Sequence, residues 1–341
     1  MTAVDFGIVS FGHALGEPVE VATAAADYTR EVERVLSWGY RRFHRAADGV
    51  GLTDLATAAA RTALDRAGVA AGEVDLVVLA MSDIAEYLYW DPAGATQARL
   101  GATRAEAVLL GQACGGGVAA FDVVAGKFAT HPDYRTAVII GANRVCELYW
   151  NRMEINTSIF SDGAAAVVVR RDHPTLRWLT TEIISDGRYA DFMRMDVGAA
   201  ARPFTGQDPA EVAVKSPDTR LEEFFAGDIH RMFEFVSTIR TNNHEVVRRA
   251  CARVGIEPGD LRRLIHLHDS VQALTLLAKD LDLTVERTNW EVAMVHGHVG
   301  CADQLLSLEH YAATPGLADG DVVALTSTAS GMHWLCTLLA S

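Results

Sequence analysis

The 341-residue chain is half apolar and 22% charged and carries a formal charge of −14, the profile of a folded protein of about two domains. The acid excess argues against a nucleic-acid partner, because a phosphate backbone needs a positive face. No apolar run approaches the roughly 20 residues that span a bilayer, and the first basic residue is Arg30, so neither a membrane anchor nor a signal peptide is expected and the location should be cytoplasmic.

Short apolar strands alternate with Ala-rich helical runs. Thr53–Ala67 reads as a helix and Asp75–Met81 as a buried strand. Ala107–Gly111 is a strand, followed by Gln112-Ala113-Cys114-Gly115-Gly116-Gly117 and a helical run from Val118 to Phe128. Thr136–Gly141 and Ala164–Val169 are further strands. The stretch Gly198–Arg220, rich in Pro, Gly and Asp, reads as an insertion or long loop, and Leu221–Arg253 as helical. The pattern predicts an α/β protein with covered sheets. Gly68 and Gly72 recur as Gly255 and Gly259, each pair closing a helix before a short turn and a strand. Gly suits a helix C-terminus, and a shared offset of about half the chain favours a duplication. The halves are expected at 1–172, carrying the nucleophile, and 173–341, carrying the key histidines.

Five cysteines, Cys114, Cys146, Cys251, Cys301 and Cys336, include no C-x-x-C pair, so thiols are expected rather than a disulfide framework. Cys114 falls at a strand-to-helix turn. A helix N-terminus carries partial positive charge and free N–H groups, which favour a thiolate and can hold an oxyanion. The glycines that follow allow close approach of a substrate. The same features also suit a small buried residue in a tight turn.

The segment QACGGG after AVLLG resembles the nucleophile turn of ketoacyl synthase III and its relatives in the thiolase superfamily. Ile159–Ala166 (IFSDGAAA) resembles that family's F-G-D-G-A-G-A turn, and Gly320–Trp334 its closing strand and Gly-rich loop. The resemblance implies a layered αβαβα fold of two duplicated halves, a homodimer, and acyl transfer from coenzyme A onto Cys114, with acyl-CoA a substrate and no resident cofactor. It places the family's catalytic His at His268 and its Asn at His298. In condensing enzymes that pair stabilises an enolate. An imidazole in the amide's place can instead take a proton from a thiol or an alcohol.

Asp303, five residues after His298, opens a helical run, Ala302–Thr314, and can orient that imidazole. Cys114–His298–Asp303 would then follow nucleophile–base–acid logic. This resembles the ketosynthase-like acyltransferases of antibiotic pathways, including those that put malonyl on a sugar hydroxyl. His268 is expected to donate to the acyl carbonyl, and the backbone N–H groups of Cys114 and of Ser330 or Gly331 to form the oxyanion hole. The resemblance puts coenzyme A contacts at Trp38, Arg41, Arg42 and Arg152; the donor is acyl-CoA or an acyl carrier protein. Tyr87–Gly101 resembles the dimer-side segment, its aromatic rings suiting a dimer contact or the face of a glycoside acceptor. Two H-x-H pairs, His266/His268 and His296/His298, invite a zinc reading, but the resemblance accounts for both without a metal. Competing readings are a decarboxylating ketoacyl synthase III and a non-catalytic ketosynthase-like partner subunit.

Overall fold

The computed structural model describes residues 4–206, 215–313 and 316–341. Its strands are β1 (Phe6–Leu15), β2 (Glu17–Glu20), β3 (Arg42–Arg45), β4 (Leu76–Met81), β5 (Glu106–Leu110), β6 (Thr136–Asn143), β7 (Gly163–Arg171), β8 (Arg177–Ser185), β9 (Arg263–Ile265), β10 (Val322–Ala329) and β11 (His333–Ala340). One sheet has the order β1-β7-β6-β4-β5, with β4 parallel to β5 and β6, and β7 antiparallel to β6 and β1. The other has the order β8-β11-β10-β9, with β9 parallel to β10, and β11 antiparallel to β10 and β8. Read from β1 and from β8, the first four strands of each sheet agree in order and in sense. β2 and β3 form a separate antiparallel pair.

The layers follow from which faces are apolar. β4 and β6 are buried almost end to end, as strands covered on both faces must be. Helix Leu52–Ala67 covers the outer face of β1, β6 and β7, and helix Ile229–Val254 that of β8, β10 and β11. Helix Gly116–Thr130 packs on β4 and β6 and also on β8 and β11, and helix Asp303–Ala313 on β1, β7 and β9. These two form the middle layer, giving αβαβα. Phe6, Val118, Phe121, Leu305 and Leu335 belong to the apolar core between the sheets.

The joint between the sheets is very close. A Cβ on Gly117 would stand 2.1 Å from the Cys301 carbonyl oxygen, and one on Gly141 2.4 Å from the same atom. Only hydrogen fits at either position.

The expected helix Leu221–Arg253 is two helices, Pro217–Phe225 and Ile229–Val254. Between them Ala226 (φ 51°) and Gly227 (φ 74°) are left-handed. Asp228 then starts the second helix, accepting the His230 and Arg231 N–H groups at 3.0 and 3.1 Å. Residues 207–214 of the expected loop, and Thr314 at the end of the run beginning at Ala302, lie outside the described residues. Among the described residues, no helix is long and apolar enough to cross a membrane.

Candidate active site

β5 ends at Leu110, a 3-10 turn spans Ala113–Gly115, and the middle-layer helix begins at Gly116. Ala113 is left-handed (φ 43°), a conformation that costs an ordinary residue about 1–3 kcal/mol and recurs at functional sites. Cys114 follows it, partly buried, its carbonyl accepting the Ser327 hydroxyl at 3.0 Å.

His298 arrives from the other half of the chain. Its Nε2 lies 3.1 Å from Cys114 Sγ and its Nδ1 2.5 Å from Asp303 Oδ2. Nδ1–H donates to the carboxylate, which leaves Nε2 to accept the thiol proton. Asp303 is held in turn by the backbone N–H groups of Val299 (2.7 Å) and His268 (2.6 Å). The His298 backbone is clamped by Ile159 and Ser161, its N–H donating at 2.7 Å and its carbonyl accepting at 2.8 Å, and the Phe160 ring stands edge-on to the imidazole at 4.9 Å. Burial works against the imidazolium, yet Asp303 and then Cys114 outweigh it and hold the His298 pKa well above the ordinary imidazole value.

His268 does not take the expected place. β9 ends at Ile265, and the chain beyond it runs as a loop to Ser270. Leu267 lines the cavity beside Cys114, whereas His268 does not. His268 is fully buried, with Nδ1 2.6 Å from the Gly297 carbonyl and Nε2 2.8 Å from Ser307 Oγ. Both nitrogens are occupied by the protein, so the ring braces the His298 loop and is not free to meet an acyl group. Ser330 lies in the turn between β10 and β11 and lines the cavity; Gly331, at φ 82°, makes the turn without lining it.

The expected coenzyme A contacts are also placed otherwise, none of the four lining the cavity. Arg152 is completely buried and chelates Asp162 at 3.1 and 2.9 Å, reaching Glu147 at 2.5 Å as well. It is a scaffold cation. Trp38 is 6% exposed within an apolar cluster that includes Met153 and Ile159. Arg42 pairs with Glu20 on the surface, and Arg41 is exposed. Cys301 is buried, donates to the Ala80 and Ala142 carbonyls at 3.2 and 3.4 Å, and burial pushes its thiol up to about 12. His296 stacks on His44, with 3.0 Å between ring nitrogens. Among the described residues no group of three or more His, Cys, Asp or Glu is gathered as a metal site.

Cys114 and His298 open onto a cavity of about 770 Å³ whose walls include Ile84, Trp150, Ile155, Phe160, Phe192 and Met332. Its polar wall includes Asp83, Asn243, His266 and Asp269, with Arg34, Arg194 and Arg220 contributing cations. Burial raises the Asp83 carboxyl to about 6. Arg34 comes from the short helix Val32–Ser37, and the others from loops and from the region between β8 and β9. Sequence reading singled out none of these as site residues except His266; Asn243 shares a helical row with Phe235 and Ile239, which also line the cavity, and Arg220 closes the aperiodic Gly198–Arg220 stretch.

The family model described as 3-oxoacyl-[acyl-carrier-protein] synthase III matches residues 110–187, and its C-terminal counterpart matches residues 251–341. The beta-ketoacyl-[acyl-carrier-protein] synthase III of Rhodospirillum centenum is 33% identical over 324 residues, covering 92% of this chain and 93% of that protein. Among solved structures, the synthase III of Pseudomonas aeruginosa PAO1 is 27% identical with a TM-score of 0.80, covering 98% of each chain. The acyltransferase ChlB3 is 23% identical with a TM-score of 0.85, covering 98% of this chain and 97% of that one.

Proposed function

Within the beta-ketoacyl-[acyl-carrier-protein] synthase III family, to which this chain belongs as an enzyme, we propose that it is an O-acyltransferase: it moves a malonyl-type or other short acyl group from a coenzyme A or carrier-protein thioester, by way of Cys114, to a hydroxyl of a natural-product glycoside. The observation that carries this reading is the relay from Cys114 through His298 to the buried carboxylate of Asp303. A carboxylate behind an imidazole favours proton transfer to and from a nucleophile.

The steps are these. His298 Nε2 takes the Cys114 proton, and the thiolate attacks the thioester carbonyl carbon. The tetrahedral oxyanion rests on backbone N–H groups, for which Cys114 and Ser330 are the candidates. Its collapse breaks the carbon–sulfur bond to the donor thiolate, which takes the proton back from His298. The acceptor hydroxyl then gives its proton to Nε2 as its oxygen attacks the acyl-Cys. Collapse forms the ester and returns the proton to Cys114. The mainly apolar walls of the cavity suit a large acceptor skeleton. A homodimer belongs to the same reading: Tyr87, Leu88 and Tyr89 are 68%, 71% and 110% exposed in the lone chain, an apolar run that a second copy would cover.

The family name of the curated relatives supports one other reading, decarboxylating condensation. Intact mass of the protein after exposure to malonyl-CoA separates the two. A retained malonyl group on Cys114 that passes to an alcohol supports ester formation. Release of carbon dioxide with a new carbon–carbon bond supports condensation and overturns the proposal. A pathway whose output is unchanged by Cys114→Ala would make the chain a non-catalytic partner.

A further inference from the structure

With His268 turned inward, the cavity has another imidazole. His266 is 5% exposed and lines the same cavity as Cys114 and His298. Its peptide is fixed on both sides by one side chain, the N–H donating to Asn289 Oδ1 at 2.9 Å and the carbonyl accepting from Asn289 Nδ2 at 2.7 Å. Its Nδ1 lies 2.8 Å from Thr326 Oγ1. Its Nε2 has no protein partner among the described residues and is not sealed in, so it is open to the cavity.

The tautomer follows from the partner. Thr326 is 3% exposed, and among the described residues its hydroxyl has no hydrogen-bond partner except His266. If Nδ1 carried the ring proton, the buried Thr326 hydroxyl hydrogen would be left without an acceptor, a cost of about 1–3 kcal/mol. Thr326 therefore donates to Nδ1, and the proton of the neutral ring sits on Nε2. Burial keeps the ring neutral, pushing its pKa down to about 3. The result is an uncharged, rigidly held N–H donor at the wall of the cavity that holds the nucleophile.

We propose that His266 is a catalytic residue whose Nε2–H donates to the carbonyl oxygen of the acyl group as Cys114 attacks it, with Thr326 as the positioning residue that fixes its tautomer. The inference rests on acyl transfer at Cys114, but only on its first half. A neutral donor suits this role: it stabilises the oxyanion without competing with His298 for the thiol proton, and it is oriented before the charge develops.

Two reagents separate this role from a structural one. With p-nitrophenyl acetate, the Cys114 thiolate bonds to the acetyl carbon, a tetrahedral oxyanion forms, and nitrophenolate leaves. With iodoacetamide the thiolate displaces iodide and no oxyanion forms. His266→Ala should slow the nitrophenolate burst by about 10²–10³-fold, the effect of one missing oxyanion donor, and change the alkylation rate less than twofold. His266→Gln, whose amide nitrogen can approach the place of Nε2, should recover part of the loss. Thr326→Val should slow acylation by a smaller factor. A burst in His266→Ala equal to that of the wild type would overturn the proposal. Equal slowing with both reagents would also overturn it, because the residue would then be supporting the thiol–imidazole pair. Neither readout needs an acceptor, so a failure of ester formation in the full reaction is distinguishable from a failure of this inference.

Discussion

Two buried carboxylates, Asp303 and Asp162, flank the contact between the His298 loop and the turn before β7 and do opposite work. Each is fully buried, accepts backbone N–H groups and faces a buried nitrogen base. Asp162 is gripped by Arg152 and, at 3.2 Å, by Arg144, side chains that never lose their charge in a protein. That cluster holds the turn before β7, whose neighbours Ile159 and Ser161 clamp the His298 backbone. Asp303 faces His298, a base that can take up and release a proton, which a guanidinium cannot. The comparison teaches that burial and pairing do not by themselves mark a catalytic acid. The partner's ability to release its proton does.

The comparison can be broken in order of expected effect. Asp303→Asn should lower kcat by about 10³–10⁴-fold with the fold retained, since an amide no longer enforces the Nδ1–H tautomer; steady-state rates and circular dichroism check this, and a loss below tenfold would refute the relay. Asp162→Asn should act on stability instead. It takes away the buried carboxylate of Arg152, leaving that cation only Glu147 at its edge, and should cost about 3–5 kcal/mol, read as a fall in the denaturation midpoint. A third outcome concerns pH. Asp303 raises the His298 pKa above its unfolded value, so this contribution to stability is complete below the unfolded value, about pH 6.5, and is lost as pH rises through the folded value. The difference in Tm between wild type and Asp303→Asn should therefore narrow from pH 6 towards alkaline pH, and a constant difference would contradict the linkage. The smallest effect belongs to the surface. Arg42→Ala removes an ion pair whose side chains are 50% and 54% exposed, and should shift stability by less than about 1 kcal/mol.

The parts of the site that could be read from sequence were those with local signatures. Cys114 stood at a strand–helix turn, and Asp303 stood one helical start after His298. The misreadings arose where tertiary partners decide. His268 was placed by resemblance to the family's His segment, and the Gly297 carbonyl and Ser307 hydroxyl that turn its ring inward give no sign in sequence. Arg152 looked like a binding cation because Asp162, ten residues on, gives no sign in sequence that it folds back. The break between Phe225 and Ile229 had a visible signal in Gly227-Asp228, but the apolar pattern on both sides concealed it. Of the cavity walls, Phe235, Ile239 and Asn243 recur at helical spacing in a run that reads as helical, but loop residues such as Asp83, Trp150 and Phe192 follow no period, and nothing in the sequence shows that these segments meet.

The hydrogens of Gly117 and Gly141 against the Cys301 carbonyl carry a consequence for how chemistry arises in this chain. Reactivity is a property of the seam: one side supplies the nucleophilic sulfur, the other the base that faces it, and a single methyl at either glycine would act as a wedge between them. Such a variant keeps every reactive group and is still inert.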